Sequence, residues 1–279
     1  MSTFAHLDEA DRTAFDRDGY LFKRSLLTPD EIALCNRVIA TDPAIQGSRL
    51  KLADAAGCST ELALWNHPGE DVFGMIARCR RVAGGAERLL GGEVYHYHSK
   101  LTMKRPGGGG RWEWHQDYGY WYQNGCLYPD MLSVAIALEP ATRENGCMQV
   151  LKGSHRLGRI EHGRVAGQTG ADPERVEQAL KQLDLVHGEM APGDALFFHA
   201  NTLHCSAANL SDKSRNLLIC CYNKATNDPY KPHHHPGYTR LEIVPDEAVL
   251  AAGDRLADAG ARWFLEEGKD ETAEVRNAG

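Results

Sequence analysis

The 279-residue chain has no CxxC pair among its eight cysteines (35, 58, 79, 126, 147, 205, 220, 221), so no dithiol motif stands out, and free, buried thiols are expected in a reducing compartment. It has no apolar run approaching the roughly 18 residues of a membrane-spanning helix. Its first twenty residues, MSTFAHLDEADRTAFDRDGY, are polar and acidic with no apolar stretch of signal-peptide type. It has no basic cluster either: 31 Lys and Arg against 38 Asp and Glu give a net charge of −7, and the pI is near 6.0. A nucleic-acid or anionic-membrane partner would ordinarily leave a basic face, so neither is expected. Internal repeats and low-complexity linkers are also missing. These absences point to a cytoplasmic protein with a single domain over residues 1–279, a monomer or homodimer whose partner is a small molecule.

Residues 1–93 read as a mainly helical flank. In LLTPDEIALCNRVIA, Thr28 is placed to be the N-cap, Pro29 the first helical residue, and Glu31 the closing residue of a capping box. Just before it, GYLFKRSLL is expected to form a short strand with Tyr20 and Phe22 on one face. From Val94 the texture changes to short β-type runs, VYHYHSKLTM, LSVAIAL, GCMQVLKG, DLVHGEM, DALFFHA and NLLICCYN, which suggest a sandwich or barrel over 94–225. One amphipathic helix interrupts them at 172–183, capped by Asp172 with Pro173 next. Residues 226–279 are expected to give a loop and a closing helix, PDEAVLAAGDRLADAGARWFLEEG, that packs Trp263 and Phe264 onto the body.

The chemistry concentrates in RWEWHQDYGYW at 111–121. On an extended strand, side chains at i and i+2 share a face, so His115 and Asp117 can converge on one point. One distant histidine would complete a two-His-one-carboxylate facial triad, the ligand set that leaves positions open on iron(II). His155, His162, His187, His199 and His204 compete for that place. FFHANTLHCSAANLSDKSRN favours His204, at the end of an apolar strand, with Ser206 two residues on and Arg215 eleven on. Arginine is the side chain best built to grip a carboxylate with two parallel hydrogen bonds. Taken singly, each residue has a plainer reading: a polar edge strand for His115 and Asp117, a surface ion pair for Arg215, a turn for Ser206. The triple histidine 233–235 looks like a metal tag, but adjacent strand residues point to opposite faces and cannot all ligate one ion. A loop is expected there.

With His115, Asp117, His204 and Arg215 in order at these offsets, the chain resembles the phytanoyl-CoA dioxygenase superfamily of iron(II)/2-oxoglutarate oxygenases over about residues 94–225. ENGCMQVLKGSHR at 144–156 is similar to that family's NG…GSH loop. WHQDYGYW and HCSAANLSDKSRN make it especially similar to the ectoine-hydroxylase branch and to small phytanoyl-CoA-dioxygenase-domain proteins. The resemblance implies a double-stranded β-helix, a jelly roll of two antiparallel sheets with flanking helices and iron inside one end.

It also implies iron(II), 2-oxoglutarate and O2 as cofactor and cosubstrates, with His115, Asp117 and His204 as metal ligands. Arg215 and Ser206, with Lys100 or Lys104, would hold the far carboxylate of 2-oxoglutarate. The presence of Asp117 argues for hydroxylation over halogenation, since halogenases of this class carry a small residue at that place.

The branch suggests a small polar or zwitterionic substrate. The alternatives are an acyl-CoA or other larger substrate, a cupin-type metal enzyme that does not use 2-oxoglutarate, and a binding protein without turnover. The substrate wall is expected from Trp121, Tyr118 and the histidines His233, His234 and His235. His235 stands before Pro236 and Tyr238, where the ectoine-hydroxylating branch places an arginine against the substrate carboxylate. The glycines at 107–110 suit either a plain connector or a lid.

Overall fold

Strand pairing fixes what faces the site in this computed structural model, in which residues 7–54, 56–258, 260 and 264 are described. The larger sheet runs β1 (Tyr20–Lys23), β11 (Ala195–His199), β6 (Met131–Ala137), β13 (Arg215–Lys224), β4 (Val94–Lys104), β3 (Ser59–Trp65) and β2 (Leu50–Ala53). The smaller runs β10 (Leu185–Gly188), β7 (Met148–Leu151), β12 (His204–Ser206) and β5 (Trp112–His115). A hairpin of β8 (His162–Val165) and β9 (Gln168–Ala171) stands apart from both. All these pairings are antiparallel, as in a jelly roll.

The apolar run NLLICCYN explains the layering. On β13, Leu218, Cys220 and Tyr222 point outward into a core shared with the helices, and Leu217, Ile219 and Cys221 point inward. A strand buried on both faces needs such an uninterrupted run. The outer layer is α1 (Glu9–Asp18), α2 (Pro29–Thr41), α3 (Pro43–Gly47), α4 (Val72–Arg78) and α5 (Gly85–Leu90). Phe15, Ile32, Val38, Phe73 and Ile76 seal that face against Val134 and Phe197. In the inner layer Met148 and Val150 of β7 meet Ala135, Leu196 and Phe198.

The capping signals act as expected. Thr28 Oγ1 accepts from the Glu31 N–H, and the Glu31 carboxylate accepts from the Thr28 N–H at 2.8 Å. Asp172 caps α7 (Pro173–Gln182), which joins β9 to β10. Tyr20 and Phe22 share a face of β1, with ring centroids 5.8 Å apart.

Several expectations need correction. The N-terminal third is mainly helical, but besides the expected β1 it supplies β2 and β3, which extend the larger sheet beyond β4. Asp117 is not on the strand with His115; it is the first residue of the short helix α6 (Asp117–Trp121). His204 does not end the apolar strand β11 but begins β12, after a turn at 200–203. Among the described residues the closing segment shows α8 (Ala248–Ala251) and a helical Gly260, with irregular chain from Gly253 to 258 between them. Trp263 lies outside the described residues, whereas Phe264 packs on Trp65 with centroids 5.9 Å apart.

The glycine run behaves as a pinned connector. Gly107 N–H donates to Ser211 O at 3.0 Å, Ser59 N–H donates to Gly108 O at 3.1 Å, and Gly109 bridges to Asn209. A Cβ on Gly110 would press against the Cys58 carbonyl, so the close approach requires glycine. All eight cysteines are free and all but Cys58 are buried. No helix among the described residues is long and apolar enough to cross a membrane.

Candidate active site

His115 and His204 are cross-strand partners on β5 and β12, so their imidazoles emerge side by side, with centroids 4.1 Å apart. Gln116 keeps an extended backbone (φ −115°, ψ 135°) before α6 begins, and this preserves the i/i+2 convergence of His115 with Asp117 although the strand has ended. Asp117 Oδ1 lies 4.0 Å from His115 Nε2 and 3.7 Å from His204 Nε2. One ligand atom from each of the three residues falls within 4.8 Å of the others, the one such group among the described residues.

The surroundings orient all three. His115 Nδ1 donates to Glu113 O at 2.7 Å and His204 Nδ1 donates to Thr202 O at 2.9 Å. A carbonyl can only accept, so both Nδ1 atoms carry the proton and both Nε2 lone pairs face Asp117. Ser133 Oγ donates to Asp117 Oδ2 at 2.7 Å, which leaves Oδ1 toward the imidazoles. Burial drives both imidazole pKa values down, so the rings are neutral. Burial pushes the Asp117 carboxyl up, but Lys100, the two imidazoles and the Ser133 hydroxyl outweigh it and hold it at about 2. Two neutral imidazoles and one ionised carboxylate, buried and converging on one side, fit a divalent iron with positions left open.

The other histidines are engaged elsewhere. His162 Nε2 accepts from Gln116 N–H and its Nδ1 donates to Ile160 O. His199 Nδ1 accepts from Asn201 N–H, and His155 bonds the Asp16 carbonyl. His187 lies on β10, outside the triad.

The triad opens on a cavity of about 350 Å³ lined also by Ser206, Arg215, Lys100, Trp121 and His235. Arg215, on β13, is 1% exposed, and among the described residues it has no carboxylate within ion-pair distance. Its Nη1 donates to Thr102 Oγ1 at 3.1 Å and its Nε has no partner. Burial lowers its pKa to about 10, which still leaves it charged. A buried cation without a counter-ion is costly, so this end of the cavity is built for an anion.

Lys104, the cross-strand partner of Arg215, is also fully buried. Its Nζ donates to Ser206 Oγ at 2.8 Å and to the Ala207 carbonyl, and burial, with Arg215 next, pushes its pKa down to about 6. Since Ser206 accepts from Lys104, its own hydroxyl proton remains to donate.

Of the expected substrate wall, Trp121 and His235 line the cavity; Tyr118, His233 and His234 do not. The Tyr118 hydroxyl donates to the carbonyls of Cys126 and Leu127, tying α6 to the following loop. His233 lies 3.4 Å from the Tyr97 hydroxyl, and the His234 carbonyl accepts from Asn66 Nδ2. The 233–235 stretch is irregular backbone, as expected.

The residues that sequence reasoning missed are His98, Thr102, Ser133 and Asn66. A signal existed for two of them. From His98 to Lys104 every second residue of β4 is polar in an otherwise buried strand, which marks a lined cavity on that face.

Residues 15–217 match the phytanoyl-CoA dioxygenase (PhyH) family. The chain is 31% identical over 274 residues to an L-proline trans-4-hydroxylase of Streptomyces griseoviridis, covering 92% of this chain and 100% of that one. It is 28% identical over 251 residues to an ectoine dioxygenase of Streptomyces coelicolor, covering 81% of each. Its fold superposes on the crystal structure of EctD from S. alaskensis with 2-oxoglutarate and 5-hydroxyectoine, with a TM-score of 0.70, 24% identity, and 88% of this chain and 91% of that one covered.

Proposed function

The chain belongs to the phytanoyl-CoA dioxygenase family and is an iron(II)- and 2-oxoglutarate-dependent dioxygenase, and on that premise we propose that it hydroxylates a small zwitterionic metabolite in the cavity beside Asp117. His115, Asp117 and His204 would hold the iron. Iron, when bound, supplies the oxygen chemistry that couples decarboxylation of 2-oxoglutarate, to succinate and CO2, with hydroxylation of the substrate.

The chain's own part is binding, orientation and exclusion of water. Thr202 O and Glu113 O keep the two imidazole lone pairs directed at one point, and Ser133 keeps Asp117 from rotating away. Arg215 takes the far carboxylate of 2-oxoglutarate in a desolvated fork, with the Ser206 hydroxyl donating beside it and the Lys104 amine holding Ser206 in place from behind. Lys100 lines the metal side of the cavity and adds a further cation there. Leu62 and Leu64 of β3 close one wall, and Trp121 stands beside the space left for substrate. The relatives that act on L-proline and ectoine support a small zwitterion over an acyl-CoA, as does the modest volume of the cavity.

The observation that carries this reading is Arg215: a buried, charged guanidinium with no carboxylate within ion-pair distance among the described residues, opening on the same cavity as an iron-type triad. The test is succinate release from 2-oxoglutarate across a panel of amino acids, imino acids and cyclic amidines. One member should raise it well above the uncoupled rate. No consumption of 2-oxoglutarate with iron and any panel member would defeat the proposal. We also place the protein in the cytoplasm as a monomer or homodimer without a nucleic-acid or membrane partner, a reading supported by its net charge of −7.

A further inference from the structure

We propose that His98 and His235 form the subsite for the protonated amine of the substrate, and so select ammonium-bearing zwitterions over acids of the same shape; this rests on the hydroxylase reading above.

The charges around the cavity raise the question of what a substrate cation could meet. Among the described lining residues, Lys51, Lys100, Arg164 and Arg215 are basic, and the one carboxylate is Asp117. Asp117 belongs to the triad. A zwitterion therefore finds cations in excess for its carboxylate and no free acid for its ammonium. Only neutral acceptors can take that ammonium, and the imidazoles outside the triad that line the cavity are His98 and His235.

Their geometry makes them acceptors. The rings are stacked 4.5 Å apart at 20°. His235 Nδ1 lies 2.7 Å from Asn66 Oδ1, and Asn66 is oriented by its Nδ2 donating to His234 O at 2.8 Å. With the amide oxygen toward the ring, His235 Nδ1 must carry the proton and Nε2 must present a lone pair. His98 is 3% exposed, and neither of its ring nitrogens has a hydrogen-bond partner among the described residues. A buried imidazole with both nitrogens unmatched, on a cavity wall, calls for a polar ligand. Trp121, edge-on to His98 with centroids 5.8 Å apart, adds an electron-rich ring to the same wall.

Burial first, and then neighbouring charges and rings, drive both pKa values well below the usual imidazole value, so neither side chain brings a positive charge to a carboxylate. His235 stands where the ectoine-hydroxylating branch places an arginine, and as a neutral side chain it offers no such charge. The histidine fits the opposite end of the zwitterion.

The test compares matched probes on the iron- and 2-oxoglutarate-loaded enzyme: L-proline with tetrahydrofuran-2-carboxylate, L-pipecolate with tetrahydropyran-2-carboxylate, and linear L-amino acids with their 2-hydroxy acids. At least one ammonium member should stimulate succinate release, with its partner weaker by about 10- to 100-fold in kcat/KM, the span of one charge-assisted hydrogen bond. His98→Leu should close most of that gap, and His98→Asn, which keeps an acceptor, should preserve it. The probe comparison on the parent chain stands even where His98→Leu does not fold. Equal stimulation by the two members of the best pair, or a gap untouched in both His98→Leu and His235→Leu, overturns the inference. So does 2-oxoglutarate consumption that no ammonium compound stimulates. Failure to consume 2-oxoglutarate at all overturns instead the hydroxylase reading beneath it.

Discussion

Replacing Arg215 by methionine separates the two roles of a buried charge. Methionine keeps much of the stem volume and removes the guanidinium. In the parent chain that group is 1% exposed, bonded through Nη1 to Thr102, and without a described carboxylate within ion-pair distance. On the binding side, losing a desolvated charge-to-carboxylate contact costs about 2–5 kcal/mol. Removing Arg215 also lifts a charge that holds the Lys104 pKa down, so Lys104 can take up a proton beside the bound anion and retain part of the attraction, and the lower half of the range applies. At 1.4 kcal/mol per tenfold, about 2–3 kcal/mol is roughly a 30- to 150-fold rise in the KM for 2-oxoglutarate. On the folding side the sign reverses: removing a buried charge that has no close carboxylate lifts a desolvation cost, so the change is neutral or stabilising. The variant should melt no lower than the parent without 2-oxoglutarate, and should lose the extra stabilisation that 2-oxoglutarate gives the parent. Succinate release against 2-oxoglutarate concentration and melting curves with and without 2-oxoglutarate measure both. A KM within threefold of the parent would refute the assignment of Arg215 to the far carboxylate.

Asp117→Ala should abolish substrate-stimulated succinate release and iron retention; an iron-loaded, active variant would remove Asp117 from the ligand set. Ser133→Ala frees Asp117 Oδ2 and should weaken iron binding about 10- to 100-fold by competition against a chelator, with an unchanged affinity counting against the Ser133 bond as an orienting contact. Lys104 has a folded pKa of about 6 against 10.5 for the free side chain, so the unfolded chain binds the extra proton and stability without 2-oxoglutarate should fall as pH drops from 10.5 toward 6. Lys104→Met should flatten that slope in urea unfolding at pH 7 and pH 9, and an equal slope in the variant would contradict the buried lysine. Gly119→Ala would drive a Cβ into the His162 ring, which Gln116 and Ile160 hold in place, so a loss of about 1–3 kcal/mol with weakened iron binding is expected; a variant as stable as the parent would mean that this ring yields.

The parts legible in the sequence were those that local physics decides. Thr28, Pro29 and Glu31 satisfy the first turn of α2 from within four residues, and the run 216–223 can only be a strand buried on both sides. The metal set was readable because two of its members lie two residues apart. Tertiary context decided the rest. β3 is a strand because β4 offers it an edge, and β2 because β3 does, which nothing within 50–65 announces. Tyr118 has a substrate-facing neighbourhood in sequence, yet its hydroxyl finds two carbonyls in the 126–127 loop. His98 shares a face with Lys100 by alternation, but the register then shifts opposite Cys221 and Tyr222; an unbroken alternation would put His96 there too, whereas His96 packs edge-on against the outward ring of Tyr222. No local pattern reports a bulge of that kind.

β5 is the last strand of the smaller sheet, and its His115 finds its partner on β12, far along the chain. Such a pairing closes a long loop, and the entropic cost of that closure is expected to delay it until the nearer hairpins have formed. A metal ion that needs both histidines therefore has nothing complete to bind in the early, partly ordered chain. Its free energy should appear almost entirely as slower unfolding, with the refolding rate hardly changed. Iron then acts as a clasp fastened after assembly, and the lifetime of the native chain in the cell would follow the supply of the ion.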